Sequence, residues 1–472
     1  MENNVIETDN SDAERKAFRE RLAKMIDVRD DPSDKREGHD VGGSARRLAD
    51  KMASGFQPIA PKSIQETGVG ESLIESLILK FLLNRSAATG RELALQVKLP
   101  FHIVSDLLRR MKADQLVVYK SSASMSDYVH ELTEAGFERA RRFSEQSSYF
   151  GAIPVPLSDY IASVAAQSIR KQNPKMHTLR RAFRNLVLGD EMLSQLGQAI
   201  ASGLGLFLYG SPGNGKTSIA CRVTGTFGES LWIPRALYAV GEIIRLFDPN
   251  NHEPLADTAP EAPADEQTID QRWIRIRRPT IVVGGELTMD HLEVTPNPIT
   301  GVSEAPLQLK SNGGTLVIDD FGRQRITPAE LLNRWIVPLE ERHDFLNLAS
   351  GRKIKVPFDQ LIIFSTNLEP RELVDEAFLR RIPYKIDVVD PSEAEFCELF
   401  RRVADAMGIE HQQQAVDYLL KNHYKAIGRP MRFCHARDLL HQVRVFCSFH
   451  GRPMELTPET LDAAVKNYFA VI

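Results

Sequence analysis

The chain has 472 residues, with 59 Lys and Arg against 63 Asp and Glu and a formal net charge of -4. That length exceeds one ordinary core and implies roughly two to four domains. The near-balance of charge excludes a surface built throughout to coat a polyanion. Cys221, Cys397, Cys434 and Cys447 stand far apart with no C-x-x-C pair, which argues against a zinc site or a disulfide framework and fits a reducing cytosol. The chain is polar and charged from Met1, and no apolar stretch is long enough to span a bilayer. The expectation is a soluble cytoplasmic protein without membrane insertion.

Residues 1–65 are rich in Asp, Arg, Lys and Ser, so they read as a mostly disordered arm with short helices near 12–25 and 43–54. From 66 to 148 the pattern changes. Leu73, Leu77 and Phe81 recur at helical spacing, Thr89–Gln96 reads as a second short helix, and Phe101, Val104, Leu107, Leu108 and Met111 mark a third. Leu116–Tyr119 and Tyr128–Leu132 are strand-like on either side of a loop over 121–127, and a helix follows over Phe137–Phe143. This order resembles a winged-helix domain, and Leu132-Thr-Glu-Ala-Gly136 is a phrase common at the wing's end in bacterial members. Over residues 71–145, eleven Lys and Arg stand against ten Asp and Glu. DNA-binding modules ordinarily present a basic face, so protein docking is favoured and DNA contact stays open.

Residues 149–180 read as a linker. From 181 to 390, apolar strands alternate with helices, as a three-layer α/β domain requires. The segment 251–270 carries six acidic residues and no Lys or Arg, and reads as a disordered surface insertion. Arg272, Arg275, Arg277 and Arg278 flank Trp273 and Ile276. They read either as a basic strand at a subunit interface or pore, or as a solvated edge guarded by charge. From 391 to 472 the chain is helical, with helices near 392–407, 411–422, 430–447 and 457–469, which would form a separate lid.

The chemistry concentrates at three strand ends. The run Leu206–Tyr209 is followed by Gly210, Ser211, Pro212, Gly213, Asn214, Gly215, Lys216 and Thr217. Glycines let backbone N–H groups curl around phosphates, and the next helix points its positive end at them. Lys216 would reach the β- and γ-phosphates of ATP, and the Thr217 hydroxyl would bind Mg²⁺. Thr315–Ile318 is a buried-strand run that ends in Asp319 and Asp320. Asp319 is the expected Mg²⁺ partner, and Asp320 the group that orients and deprotonates an attacking water. Leu361–Phe364 leads to Asn367, whose amide is suited to hold that water or the γ-phosphate.

With these motifs in place, residues 180–470 resemble the AAA+ ATPases. Gly210–Thr217 matches Walker A, Leu316–Asp320 matches Walker B, and Asn367 falls at the sensor-1 position. The resemblance implies that Arg380 or Arg381 reaches a neighbouring subunit as an arginine finger; Arg380 is slightly preferred and both stay open. It also implies that Arg432 carries sensor 2 from the lid, with Arg429 the weaker choice. One departure concerns Asp320, where most members have Glu; the shorter acid implies slower hydrolysis. Gly284–Met289, Ala305–Leu316 and a hairpin around Gly351 resemble the branch of MoxR-type and magnesium-chelatase ATPases, in which an inserted loop touches substrate or the central pore. The implied protein has an α/β P-loop AAA+ three-layer core, a C-terminal helical lid and an N-terminal winged helix. It would form a homo-oligomer, a hexamer in the leading reading, that uses ATP and Mg²⁺ to remodel or assemble a protein partner. A DNA-associated regulator and a slow ATP-gated scaffold are the alternatives.

Overall fold

The computed structural model describes residues 56–255, 269–297, 299–410 and 412–469. The helices expected near 12–25 and 43–54, and most of the acidic insertion, lie outside these residues. The first module comprises α1 (Glu71–Arg85), β1 (Ala87–Thr89), α2 (Gly90–Val97), α3 (Phe101–Ala113), β2 (Val117–Ala123), β3 (Asp127–Leu132) and α4 (Glu134–Gln146). Its strands form an antiparallel sheet in the order β1-β3-β2; the three helices, the β2–β3 hairpin and α4 follow the expected order, and β1 is an addition to it. The apolar stripe of α3, including Val104, Leu107 and Leu108, is buried in one core with Leu77 and Ile78 of α1. The β2–β3 hairpin is longer than expected. Pairing of Ser121–Ala123 with Asp127–Val129 keeps those backbone groups in the ladder, so the loop over 121–127 shrinks to a turn in which Met125 and Ser126 take positive φ. Just after β3, Thr133 Oγ1 caps α4 by accepting from the Gly136 N–H at 2.9 Å. A Cβ at 136 would fall on the Leu116 carbonyl oxygen, so the glycine in that phrase is a packing requirement.

The second part begins with β4 (Val155–Pro156), α5 (Leu157–Ala166), α6 (Met176–Ala182), α7 (Asp190–Ser202), β5 (Leu206–Tyr209) and α8 (Lys216–Val223). An inserted β region follows: β6 (Ser230–Pro234), β7 (Ala236–Ala239), β8 (Glu242–Arg245) and β9 (Trp273–Arg277). Next come β10 (Thr280–Val283), the hairpin β11 (Thr295–Asn297) and β12 (Val302–Glu304), α9 (Leu307–Lys310) and β13 (Thr315–Ile318). Helices α10 (Pro328–Arg334) and α11 (Ile336–Glu341) precede a second hairpin, β14 (His343–Asn347) and β15 (Lys353–Pro357). This is the hairpin expected around Gly351, just before β16 (Leu361–Ser365). Helices α12 (Pro370–Leu373) and α13 (Glu376–Arg381) lead to β17 (Tyr384–Asp387).

Five of these strands form one wholly parallel sheet in the order β10-β13-β16-β5-β17. Their side chains alternate between two cores, as period-two geometry dictates. Leu206, Leu208, Val317, Leu361 and Ile363 pack with α7 and α8 on one face. Phe207, Leu316, Ile318, Ile362 and Phe364 pack with α10 and α11 on the other. Helices α14 (Glu393–Ala406), α15 (Gln413–Leu419), α16 (Phe433–Phe449) and α17 (Pro458–Tyr468) share a core of their own. The protein is thus mixed α/β, with a parallel three-layer core and a helical lid. Among the described residues, no helix is long and apolar enough to cross a membrane.

Three segments differ from the sequence-based expectation. Residues 149–180 are more than a connector: β4 pairs with β7, Tyr160 is buried with its hydroxyl donating to Leu309 O at 3.2 Å, and Asp359 accepts from Ser168 Oγ and Ile169 N. Residues 56–59, assigned to the arm, are packed, with Phe56 against Trp273 and Ile59 bridged to Ile269. The arginine strand is neither wholly a surface for a neighbour nor a solvated edge. Arg272 is 3% exposed, paired with Asp270 at 2.8 Å, and donates to Thr67 O. Arg278 is buried and donates to Gly313 O and Gln167 O. Only Arg275 and Arg277 keep exposed heads, on Ser230 and Glu253.

Candidate nucleotide site

Strands β5, β13 and β16 deliver their C-terminal ends to one edge of the sheet, the edge at which α/β proteins bind ligands. The loop after β5 enters α8 through Gly215, whose φ is 80°, and no side chain caps that helix. Its first N–H groups are therefore left for an anion. Lys216 is buried. Its ammonium donates to Gly210 O at 2.8 Å, Ser211 O at 3.0 Å and Asn367 Oδ1 at 2.6 Å, so the chain itself satisfies all three N–H donors. Burial pushes the Lys216 pKa below its ordinary value, Asp319 and Asp320 oppose that fall, and the Arg432 guanidinium adds to it.

Thr217 Oγ1 donates to Asp319 Oδ2 at 2.8 Å and lies 3.0 Å from Oδ1. Asp320 takes a positive φ of 49°, which turns the chain sharply after β13. Gln324 clasps that turn, donating to Asp319 O and Asp320 O and accepting from Gly322 N. Asp320 Oδ1 comes within 3.5 Å of Asn367 Nδ2. Five side chains expected to act together from their places in the sequence therefore meet: Lys216, Thr217, Asp319, Asp320 and Asn367.

The lid closes on the same loop. The first turn of α16 rests there, with Cys434 N donating to Gly213 O at 2.9 Å. A Cβ on Gly213, where φ is 87°, would stand 2.5 Å from Cys434 Sγ and 3.7 Å from Arg432 Cβ. Only glycine permits this approach. Arg432 makes an ion pair with Asp390, whose Oδ1 also accepts from Asn214 Nδ2 at 2.8 Å. Asp390 was not singled out in the sequence; an acid in the turn after β17 carries no periodic signal. Arg429, the weaker sensor-2 candidate, lies over the Phe469 ring at 3.7 Å and donates to His423 O, inside the lid. Arg381 is held by Glu340 at 2.6 Å, and Arg380 is exposed near the end of α13.

The donor set fits a magnesium–triphosphate. Among the described residues, no group of three or more His, Cys, Asp or Glu could hold a metal by itself. One carboxylate and one hydroxyl beside a phosphate cradle is the small protein share that Mg²⁺ takes in nucleotide sites. Buried Asn214 Oδ1 has no donor, which leaves unused hydrogen-bonding capacity in the loop.

Sheet order, glycine-rich loop and lid together define a mixed α/β protein with a parallel-sheet core, a loop suited to phosphate at its ligand edge and a helical domain resting on that loop. A family described as a domain of unknown function (DUF8689) matches residues 392–467, essentially the lid. No curated protein matches the sequence. Similar solved structures include NtrX from Brucella abortus in complex with ADP, at 15% identity and a TM-score of 0.37, covering 62% of this chain and 58% of that one. NtrX in complex with ATP matches at 14% identity and a TM-score of 0.37, covering 62% and 59%. The Holliday junction branch migration motor RuvB of Thermotoga maritima matches at 15% identity and a TM-score of 0.34, covering 59% and 70%. The chain thus spans less than two thirds of the length of the NtrX chains it matches.

Proposed function

We propose that the chain is an ATPase of the AAA+ class that assembles into a ring, a hexamer in this reading, and couples hydrolysis to remodelling or assembly of a protein partner. The observation that carries the reading is the meeting of Lys216, Thr217, Asp319, Asp320 and Asn367 at one sheet edge. Bound Mg²⁺ would neutralise charge on the phosphates. Lys216 would hold the β- and γ-phosphates, and Thr217 with Asp319 would hold the metal. Asp320 takes the proton of the attacking water, which Asn367 helps to position. Arg432 enters from the lid, and Arg380 from a neighbouring subunit stabilises charge developing in transfer. Arg380 is favoured over Arg381 because Glu340 already engages Arg381.

The two hairpins, β11–β12 before β13 and β14–β15 before β16, support the branch with an inserted loop. The first also abuts the small domain: Ser148 N donates to Thr300 O at 2.7 Å, and Val302 joins that domain's core. The small domain serves in this reading as the adaptor that presents a partner to the ATPase. DNA recognition has less support. On α3, Arg109 is paired with Asp106, Arg110 with Glu71, and Lys112 sits 3.6 Å over the Tyr119 ring, so local groups already engage these cations.

Phosphate release from ATP tests the reading. Release that needs Mg²⁺ and is lost in Lys216→Ala supports it; release unaffected by that change removes the site. Asp320→Asn, used as an ATP-locked trap, then separates the partners: retained polypeptide supports remodelling, and retained nucleic acid alone supports the DNA regulator.

A further inference from the structure

Asp390 lies between β17 and α14, where the chain leaves the core for the lid. Its Oδ1 serves two masters. It accepts from Asn214 Nδ2 of the phosphate loop at 2.8 Å and pairs with Arg432, the residue just before the lid helix α16. Asn214 is 2% exposed and donates also to Val388 O at 3.0 Å, so the loop side of this junction is fixed. The lid side rests on one ion pair and on the Cys434 N–H to Gly213 O bond. A Cβ on Gly213 would stand 3.7 Å from Arg432 Cβ, which puts Arg432 beside the loop.

We propose that Asp390 is a positioning residue that holds Arg432 off the phosphates in the nucleotide-free protein and releases it when a triphosphate offers denser negative charge. The inference rests on the nucleotide-site reading and adds to it a residue and a direction of control. Asp390 is a monovalent acid, partly exposed, whose attraction for Arg432 solvent screens. A bound triphosphate presents several oxygens in a cradle closed by the lid, and a guanidinium favours such a partner. The exchange leaves Asp390 on Asn214, so the loop keeps its anchor while the lid turns.

Asp390→Asn separates the two duties. Its amide oxygen still accepts from Asn214, but the charge that holds Arg432 is gone. Equilibrium binding of a fluorescent ATP analogue with Mg²⁺ to the full chain should tighten roughly fivefold, the worth of one partly exposed ion pair. In an Arg432→Ala background the same change should have no effect. Unchanged or weaker binding by Asp390→Asn, or a gain that survives without Arg432, overturns the proposal. Hydrogen exchange of the nucleotide-free chain gives a second reading. Asp390→Asn should speed exchange at the N–H groups of residues 432–436, including Cys434, and unchanged exchange there also overturns it. Lys216→Ala is the control for the site: if it binds the analogue as the unaltered chain does, the nucleotide reading fails, while the exchange result still judges Asp390.

Discussion

Lys216 Nζ lies 2.6 Å from Asn367 Oδ1, and the other end of the same amide reaches to within 3.5 Å of Asp320 Oδ1. One side chain at the end of β16 therefore bridges the cation that would hold phosphate and the acid that would activate water. The fixed polarity of an amide suits that place: its oxygen can face only the ammonium, and its nitrogen only the carboxylate.

This bridge makes Asn367→Ala informative. Lys216 loses one of three acceptors but keeps Gly210 O and Ser211 O, so affinity for a fluorescent ATP analogue should stay within about threefold. Turnover should fall roughly tenfold to a hundredfold, because the amide acts on groups whose charge changes in the reaction. Binding and phosphate release measured on the same preparations check it; a loss confined to binding would assign Asn367 to holding Lys216.

The two arginines of α13 should part company. Arg380→Ala should leave nucleotide affinity nearly intact and cut turnover roughly tenfold to a thousandfold, as for other arginines supplied in trans. Mixing it with Asp320→Asn should restore part of the activity, since some interfaces then pair an intact Asp320 with an intact Arg380. Arg381→Ala removes the contact with Glu340 and a guanidinium 6.0 Å from the Phe378 ring, so it should lower stability by about 0.5–1 kcal/mol. Activity that recovers on mixing with Arg381→Ala, and not with Arg380→Ala, reverses the assignment.

What was legible in the sequence follows from periodicity. Leu206–Tyr209, Thr315–Ile318 and Leu361–Ser365 are apolar runs that stop at residues of distinct chemistry, and buried parallel strands have to look that way. Their order in the sheet then brought the polar ends together. Charge misled where burial reversed its usual meaning. Arg272 and Arg278 read as surface groups because a lone arginine is seldom buried, yet the Asp270 carboxylate and the Thr67 carbonyl hold Arg272, and two backbone carbonyls hold the Nη atoms of Arg278. Asp390 was illegible for another reason: its partners, Asn214 and Arg432, lie far from it along the chain and meet it only at the junction of core and lid.

The Arg272–Asp270 pair should be costly to break from one side. Both side chains are 3% exposed, and Arg272 Nη1 also donates to Thr67 O at 2.8 Å, tying the start of the small domain to the inserted β region. Asp270→Asn leaves a buried guanidinium without its counter-charge, which should destabilise by about 3–5 kcal/mol. The apolar double change Asp270→Leu with Arg272→Met should lose less, because no orphaned charge remains. Urea unfolding of the three proteins compares them, and a double variant worse than Asp270→Asn would show that the pair contributes more than its own neutralisation.

The lid should carry an acid-sensitive element at His435. Its Nδ1 lies 3.0 Å from the Tyr424 hydroxyl, and the Phe469 and Tyr468 rings stand edge-on to it. Burial, with the Arg432 and Arg429 guanidiniums, pushes its pKa down to about 4 from an ordinary 6.5. Between those values the unfolded chain binds the proton and the folded chain does not. Stability is therefore fully present above pH 6.5, is lost as pH falls towards 4, and levels off below. Carboxylates elsewhere titrate over part of the same range, so the comparison has to be internal. Urea unfolding of the unaltered chain and of His435→Gln, from about pH 7.5 down to about pH 4.5, should show a steeper loss in the former. The glutamine side chain has no proton to take up. Parallel curves for the two proteins would mean that His435 titrates alike in folded and unfolded chains, and would remove this element from the lid.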